Sequence, residues 1–264
     1  MPQGGCSGST DGSFARTAEF FGPEGFARVR KASVAVIGLG GVGSHAAVCL
    51  ARNGIGRLLL VDFDQITESS LNRSPFAGPA DVGHPKARVL AAHLAEVCPA
   101  TAVDVRQEFL DASTVGSILT PGPDWVVDAI DSLNPKVSLA QYCVGCSIPM
   151  VSSMGASSRI DPSSIRVGDI SETGVCPLAR KVRQYLRRRG VLSGVTCVYS
   201  TETPAVRPGP PDDSESTVRR GRVRNRLPGA GAIPGMFGYA CAAVVLEGIA
   251  GVADRPSGVS YKIR

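Results

Sequence analysis

Short runs of apolar residues alternate with longer stretches of helical periodicity between residues 31 and 155. The runs are too short to be helices, and runs without polar residues are typical of strands that are buried on both faces. Elements that alternate in this way are typical of a parallel sheet covered by helices. We therefore predict an α/β fold with a Rossmann-like, doubly wound and mostly parallel sheet. The predicted strands are 34–37, 58–61, 103–105, 125–128 and 149–152, and the predicted helices are 43–52, 86–97 and 135–146.

The alternation breaks into shorter pieces after residue 155. Two further strands are predicted at 165–167 and 195–199, with a basic helix at 177–189 between them. We interpret residues 156–264 as a C-terminal mixed α/β extension that faces the substrate of the preceding core, residues 31–155.

Two stretches lack the apolar residues of a packed element. Residues 1–12 are small, polar and rich in glycine, and predict a disordered tail. Residues 204–229 are rich in Pro, Gly, Ser, Asp and Arg, and predict a long mobile loop. The chain then returns with an apolar helix at 236–252, which is short for a membrane span and contains Glu247. We predict that this helix is buried in protein, with no stable insertion into a membrane.

Composition excludes a wholly disordered chain, because 43% of the 264 residues are apolar and 19% are charged. The net charge of +5 is modest, but arginines cluster at 180–189 and at 219–226. Either cluster is suited to phosphate groups. The eight cysteines occur without a secretory signal, which indicates reduced thiols and an intracellular protein.

A glycine-rich sequence follows the first predicted strand and opens a predicted helix. Gly38, Gly40, Gly41 and Gly43 let the backbone approach a phosphate, which the N–H groups of a helix N-terminus attract. Asp62 ends the second predicted strand, 19 residues after Gly43, where a carboxylate binds ribose hydroxyls. These residues predict a bound nucleotide, and a nicotinamide or flavin enzyme fits them as well as an ATP enzyme.

Further polar residues favour ATP. Asp64 adds a second carboxylate beyond the strand, Asn72 and Arg73 lie on a polar loop, Lys86 begins a helix, and Asp131 follows the fourth strand. Formation of an adenylate is an in-line displacement at the α-phosphate, which needs cations on the triphosphate and a carboxylate that holds a metal ion. A hydride-transfer enzyme has no use for that set. Taken singly, these residues also have structural interpretations, with Arg73 and Lys86 as solvated surface charges and Asp131 as a helix N-cap. Their joint order is what favours ATP, with Asp131 as the candidate metal ligand.

The order of these residues resembles the ThiF/MoeB family, which has the fold of ubiquitin-activating enzymes. The resemblance is strongest to its TcdA branch, the tRNA threonylcarbamoyladenosine dehydratases. It covers residues 14–170 and 199–202 and resumes at 229–250. The matching motifs are 14–17 (FART), 38–43 (GLGGVG), 62–64 (DFD), 71–73 (LNR), 83–87 (GHPKA) and 128–132 (DAIDS).

The resemblance implies a single ThiF-like adenylating domain over residues 13–264, assembled as a homodimer. In relatives an N-terminal arginine reaches the nucleotide of the partner subunit, and Arg16 is the matching position. The implied cofactors are ATP and Mg²⁺, with Asp131 as the metal ligand. The implied catalytic residues are Arg73, Lys86, Asp131 and Arg16. The implied nucleotide-binding residues are Gly38, Gly40, Gly41, Gly43, Asp62, Asp64, Asn72, Arg73 and Lys86.

The branch implies an ATP-dependent enzyme that adenylates the carboxylate of threonylcarbamoyladenosine in tRNA. The carbamoyl group then attacks the activated carbonyl, closes a ring and releases AMP. A cytoplasmic location is expected, with the mitochondrion as the alternative because some relatives are mitochondrial. A sulfur-transfer partner also remains an alternative.

Cysteine spacing separates the branches. Members that activate carrier proteins commonly hold zinc with two Cys-x-x-Cys pairs, whereas this chain has one pair, Cys143 and Cys146, inside a predicted helix. We interpret the pair as structural. Relatives often have glutamine where this chain has Ser74.

The basic helix predicts contact with RNA. Arg180, Arg183 and Arg187 fall on one helical face, with Lys181 beside them. Such a row tracks a nucleic-acid backbone without reading its sequence. The alternative is a solvated outer face.

Two other functions stay open at this point. The chain is alternatively an enzyme that activates the C-terminus of a ubiquitin-like or sulfur-carrier protein. A nucleotide-binding scaffold or sensor without catalysis is the third interpretation.

Overall fold

A seven-stranded sheet forms the centre of the molecule. The structure, a computed structural model, describes residues 12–204 and 228–251. The strand order is β3-β2-β1-β4-β5-β7-β6, and only β6 runs antiparallel to its neighbour. The predicted mostly parallel, doubly wound sheet is confirmed. The strands are β1 Ser33–Ile37, β2 Arg57–Val61, β3 Ala102–Arg106, β4 Trp125–Asp128, β5 Met150–Ser153, β6 Ile165–Asp169 and β7 Thr196–Ser200.

Strand β1 lies at the point where the winding of the sheet reverses. It pairs with β2 on one side and with β4 on the other. The chain therefore adds β2 and β3 on one side of β1, and β4 and β5 on the other. In open α/β sheets the crevice at the carboxyl end of such a strand is where ligands bind. The glycine-rich sequence follows this strand directly.

Helices cover both faces of the sheet. They are α1 Ala15–Lys31, α2 Gly43–Arg52, α3 Lys86–Val97, α4 Val115–Ile118, α5 Leu133–Gly145, α6 Pro177–Arg188 and α7 Ala232–Ala250. Helix α1 was not among the predicted elements. Gly22, at φ +70°, and Pro23 kink it and interrupt the apolar periodicity that marks the other helices.

Two apolar cores lie on opposite faces of the sheet. Helices α2, α3 and α7 cover one core, and α4, α5 and α6 cover the other. Helix α7 is long and apolar enough to cross a membrane by length and composition, and 56% of it is buried inside the protein. It packs closely on α2, because a side chain at Gly238 would overlap the carbonyl oxygen of Val42.

The residues after 155 continue the same sheet. Strand β7 pairs with β5, and β6 closes that edge. Residues 1–11 and 205–227 are outside the described residues, and the predictions of a disordered tail and a mobile loop fall largely on them.

Candidate functional site

The glycine-rich turn joins β1 to α2 at the carboxyl edge of the sheet. Gly38 has φ +87° and donates its N–H to the carbonyl of Val61 at 2.8 Å. A Cβ at Gly43 would overlap the carbonyl oxygen of Gly38, so the turn closes tightly against the start of α2. The N-terminus of α2 therefore faces the crevice with N–H groups that attract anions.

Asp62 links the glycine turn to the end of β2. Its Oδ2 accepts the Leu39 N–H at 2.6 Å, and its Oδ1 accepts the Asp64 N–H at 2.8 Å. Only 7% of Asp62 is exposed, and this burial raises the pKa of its carboxyl above the ordinary value. A carboxylate at this position beside a glycine turn is suited to ribose hydroxyls.

The loop between β2 and α3 brings Lys86 back to Asp64. The Lys86 N–H donates to the carbonyl of Asp64 at 3.0 Å, and its Nζ lies 3.3 Å from Asp64 Oδ2. Both side chains are mostly buried, at 15% and 21% exposure. The pair is therefore held at the crevice by backbone as well as by charge.

Arg73 lies directly over the glycine turn. A Cβ at Gly41 would come 3.0 Å from Arg73 Cγ, so glycine is what allows this approach. The Arg73 Nη1 donates to the carbonyl of Ser69 at 2.6 Å and to Asn72 Oδ1 at 3.1 Å. The short helical turn Glu68–Arg73 thus places a cation across the N-terminal end of α2.

Two hollows meet at Arg73. One is lined by residues that include Gly40, Gly41 and Lys86. The other has a volume of about 430 Å³ and is lined by residues that include His45 and Tyr239. The side chain of Arg73 contributes to both walls. Of the predicted nucleotide residues, Gly40, Gly41, Arg73 and Lys86 line the first hollow, and Asn72 and Arg73 line the second.

Asp131 lies in the turn between β4 and α5. It is exposed, and Ser132 Oγ donates to its Oδ1 at 3.1 Å. The turn packs against the glycine turn, because a Cβ at Gly38 would lie 2.9 Å from the carbonyl oxygen of Ala129. An exposed carboxylate at this edge has the oxygen donors that Mg²⁺ prefers in phosphate sites.

Arg16 lies away from this cleft in its own chain. It is exposed near the start of α1, beside Phe14, which packs against Gly54 beyond the far end of α2. Thr17 Oγ1 also donates to Asn53 Oδ1 at 3.4 Å. Because α2 starts at the carboxyl edge, these contacts put Arg16 toward the opposite edge of the sheet.

A buried lysine was missed by the sequence reasoning. Lys136 Nζ lies 2.7 Å from Asp128 Oδ2 and 3.2 Å from Ser152 Oγ, and the side chains of Lys136 and Asp128 are fully buried. The available signal was a lysine in the first turn of a helix whose neighbouring positions are apolar.

The basic helix α6 presents most of its charge to solvent. Arg180, Lys181 and Arg187 are exposed, whereas Arg183 is half-buried. The Arg183 Nη1 donates to the carbonyl of Thr173 at 2.6 Å. The contact of α6 with RNA stays a prediction. The sequence did not indicate the structural hydrogen bond from Arg183 to Thr173.

The cysteine pair straddles the end of α5. Cys143 is buried, which raises its pKa to about 12, and Cys146 is exposed just after the helix. Within residues 12–204 and 228–251, no three His, Cys, Asp or Glu side chains are grouped as metal ligands. Because burial raises the pKa of Cys143, its thiol is protonated at neutral pH.

Curated relatives match most of the chain. It is 39% identical over 193 residues to the tRNA threonylcarbamoyladenosine dehydratase of Bacillus subtilis, covering 73% of this chain and 76% of that protein. It is 37% identical over 259 residues to tRNA threonylcarbamoyladenosine dehydratase 2 of Saccharomyces cerevisiae. That match covers 92% of this chain, which spans 57% of the yeast protein.

A solved structure matches the fold. The Escherichia coli tRNA N6-threonylcarbamoyladenosine dehydratase, TcdA, in complex with ATP superposes with a TM-score of 0.79 at 33% identity. The match covers 90% of this chain and 94% of that chain. The ThiF family model matches residues 14–262, which is most of the sequence. The chain belongs to the ThiF family.

Proposed function

We infer that this protein is an ATP-dependent tRNA threonylcarbamoyladenosine dehydratase. It adenylates the carboxylate of threonylcarbamoyladenosine in tRNA and promotes cyclisation of the modified base. The observation that carries this inference is that Arg73 and Lys86 line one hollow with Gly40 and Gly41, while Asp62 is bonded to the adjoining Leu39 N–H. Dehydratases are the relatives with similar sequence over most of the chain, and the E. coli relative binds ATP and AMP in this fold.

The nucleotide is proposed to lie across the N-terminal end of α2. Asp62 binds the ribose hydroxyls, and the N–H groups at Gly40, Gly41 and the start of α2 face the phosphates. Asn72 adds an amide at the rim, where its Nδ2 donates to the carbonyl of Gly229 at 3.2 Å. The site therefore holds the base and ribose on the β2 side and the triphosphate over the glycine turn.

Two cations are proposed to neutralise charge on the triphosphate. Arg73 lies over Gly41, and Lys86 reaches the cleft from the start of α3 beside Asp64. When ATP binds, Lys86 exchanges part of its contact with Asp64 for a phosphate oxygen. Positive groups at the phosphates lower the barrier to in-line attack at the α-phosphate.

Asp131 is proposed to hold Mg²⁺ against the phosphates. When bound, Mg²⁺ neutralises the charge that develops on the transferring and leaving oxygens. The chain's own contribution is a carboxylate fixed at the carboxyl edge, beside the glycine turn. Asp64 lies at the same edge and is paired with Lys86.

Adenylation explains why the reaction needs ATP. A carboxylate oxygen is a poor leaving group, so the carbamoyl group does not displace it directly. Attack of the carboxylate on the α-phosphate forms the mixed anhydride and releases pyrophosphate. Attack of the carbamoyl group on the activated carbonyl then closes the ring and releases AMP, with net loss of one water from the nucleoside. The scheme needs no covalent bond to the enzyme.

The tRNA is proposed to lie along α6. Arg180, Lys181 and Arg187 are exposed on this helix. Helix α6 packs beside α5, the helix that follows the Asp131 turn, on the same face of the sheet. These exposed cations supply affinity for the phosphate backbone. The base is delivered from that side to the cleft.

A homodimer is proposed to complete each site. In its own chain Arg16 lies away from the cleft, which is compatible with delivery of Arg16 to the nucleotide of the partner subunit. A sulfur-transfer partner and the cytoplasmic or mitochondrial location stay separate predictions.

One assay tests the activity. Purified protein is incubated with ATP, Mg²⁺ and tRNA that carries threonylcarbamoyladenosine, and the nucleosides are analysed by mass spectrometry. We expect an ATP-dependent product that has lost one water, with one AMP formed per product. Protein without ATP, and Asp131→Ala protein with ATP, are the controls.

The same protein preparation separates the alternatives. If the nucleoside mass stays unchanged while a carrier protein ending in Gly-Gly drives pyrophosphate exchange, the dehydratase assignment is wrong and carrier activation replaces it. If neither substrate supports exchange and ATP still binds, the protein is a nucleotide-binding scaffold or sensor.

A further inference from the structure

A buried polar network lies directly beneath the turn that carries Asp131. Lys136 Nζ donates to Asp128 Oδ2 at 2.7 Å and to Ser152 Oγ at 3.2 Å. Ser152 Oγ donates to the same carboxylate oxygen at 2.6 Å. Lys136 and Asp128 are fully buried and Ser152 is 1% exposed, so water does not compete for these bonds.

Stability is a poor reason for this network. The desolvation of two charges roughly offsets their attraction, and an apolar replacement of similar volume is often neutral or stabilising. What a buried ion pair does supply is direction, because both partners must stay in one geometry. The elements that it joins therefore indicate its role.

The network joins β4, β5 and the first turn of α5. Asp128 is the last residue of β4, Ser152 lies on β5, and Lys136 lies in α5. The Lys136 N–H also donates to the carbonyl of Ser132 at 3.2 Å, which ties the start of the helix to the residue after Asp131.

The other oxygen of Asp128 holds the turn itself. Asp128 Oδ1 accepts the Ile130 N–H at 3.0 Å, and the Ala129 N–H donates to the carbonyl of Ile37 at 2.8 Å. Both ends of the turn 129–132 are thus bonded to Asp128 or to its partner Lys136. The Asp128 carboxylate therefore bonds to the residue immediately before Asp131.

We propose that Lys136 is a positioning residue, which, through Asp128 and Ser152, sets the place of the Asp131 carboxylate relative to the glycine turn. Lys136 touches neither the nucleotide nor the substrate in this arrangement. The inference rests on the proposed function, in which Asp131 holds Mg²⁺ against the phosphates. It adds a residue that the motifs of the site did not indicate.

The experiment measures ATP affinity at equilibrium by titration calorimetry, in Mg²⁺ and in EDTA. Wild type should bind ATP more tightly in Mg²⁺. Groups that orient a metal ligand typically cost about 10–100-fold in metal affinity or activity when removed, so Lys136→Met should reduce the Mg²⁺-dependent gain by about that factor. Binding in EDTA should change little, because the glycine turn and Asp62 remain.

Two milder comparisons keep the test valid if Lys136→Met fails to fold. Ser152→Ala removes one donor from Asp128 and should reduce the Mg²⁺-dependent gain in the same direction, by less. Ser153→Ala is its matched control, because Ser153 is also buried on β5 but donates to the carbonyl of Met154 at 3.3 Å. Ser153→Ala should keep the full gain.

Leu139→Ala controls for general loosening of α5. Leu139 is fully buried on the same helix, within the apolar core on that face. It should lower the thermal midpoint and preserve the response to Mg²⁺. A Lys136→Met or Ser152→Ala protein that responds to Mg²⁺ as wild type does overturns the inference alone. A wild type whose ATP affinity ignores Mg²⁺ overturns both the inference and the proposed role of Asp131.

Discussion

Arg73 shows how one residue of the site depends on its neighbours' size. Its side chain reaches across the N-terminal end of α2 only because Gly41 has no Cβ to block it. Its hydrogen bonds to Ser69 and Asn72 lie at the rim and hold the guanidinium over the turn. This placement at a hollow beside the glycine turn is compatible with the proposed contact between Arg73 and the phosphates.

Removal of this guanidinium should damage catalysis more than folding. We expect Arg73→Ala to lower kcat by about 10²–10³-fold, as loss of a charge-stabilising donor does. The free energy of unfolding should fall by about 1 kcal/mol, the value of a modest hydrogen bond. Steady-state kinetics and denaturant unfolding measure the two effects. Arg73→Lys, which keeps the charge, should retain more activity, and unchanged turnover in Arg73→Ala would remove Arg73 from the site.

Asp62 carries a cost in stability that depends on pH. Burial raises the pKa of its carboxyl, so the folded protein holds this proton more tightly than the unfolded chain does. The free energy of unfolding therefore declines as the pH rises above the ordinary Asp pKa of about 4. We expect Asp62→Asn to gain stability relative to wild type over that rise, and to bind ATP more weakly. Denaturant unfolding at a series of pH values measures the difference.

Asp111 supplies a control of opposite sign. The hydrogen bond from Ser113 Oγ lowers the pKa of Asp111, so its stabilising contribution is present above the ordinary pKa and is lost as the pH falls through the lowered value. Asp111→Asn should therefore lose stability relative to wild type as the pH rises toward about 4. Equal slopes for the two variants would contradict the assignment of burial as the cause at Asp62.

At the scale of elements, α6 divides its arginines between two tasks. Ala179, Val182 and Leu186 bury one side of the helix, and the charged residues occupy the rest. Arg183 lies beside the buried side and bonds to Thr173, which anchors α6 to the chain segment before it. Arg180 and Arg187 are one turn away on either side and are exposed.

The division predicts two phenotypes on one helix. Arg180→Ala with Arg187→Ala should weaken tRNA binding and reduce the slope of log K against log salt by about 2, roughly one unit per phosphate contact. The slope is measured by fluorescence anisotropy with labelled tRNA. Arg183→Ala should mainly lower the thermal midpoint.

A charge-matched double variant tests whether the effect is local. Arg52 and Arg57 are exposed at the C-terminal end of α2 and the start of β2, and α2 packs on the opposite face of the sheet from α6. Arg52→Ala with Arg57→Ala removes the same charge and should leave the salt slope nearly as in wild type. An equal fall in both double variants would assign the binding to net charge, and α6 would be an ordinary solvated helix.

At the scale of the whole molecule, the position of Arg16 allows a test of whether each site takes a residue from the partner subunit. If each site takes Arg16 from the partner subunit, an Arg16→Ala chain and an Asp131→Ala chain complement each other. Random mixing after subunit exchange should restore about one quarter of wild-type activity, since about half the dimers are mixed and each has one complete site. Dehydration assays on the mixture and on each variant alone measure this recovery. Activity that stays at the level of the separate variants, while light scattering shows a dimer, would contradict delivery in trans.

The sequence by itself determined the sheet and most of the cleft. Apolar runs and helical periodicity identify strands and helices because each element buries its apolar face, whichever element it packs against. Gly38 and Asp62 directly follow β1 and β2, Asp131 lies in the turn after β4, and parallel strands bring those ends to one edge. Arg73 and Lys86 lie farther along the connection from β2 to α3, and the folding of that loop brings them to the glycine turn and to Asp64.

Only the tertiary structure decided which side chains face each other at a distance along the chain. Lys136 and Ser152 meet Asp128 across 8 and 24 residues. The apolar neighbours of Lys136 indicate a buried stretch of helix, but no local pattern identifies Asp128 and Ser152 as the partners of Lys136. Helix α1, kinked at Gly22, and the bond from Arg183 to Thr173 were likewise invisible to periodicity. The physical reason is that burial and charge pairing depend on packing between elements that are distant in sequence, and that packing is defined only in the complete fold.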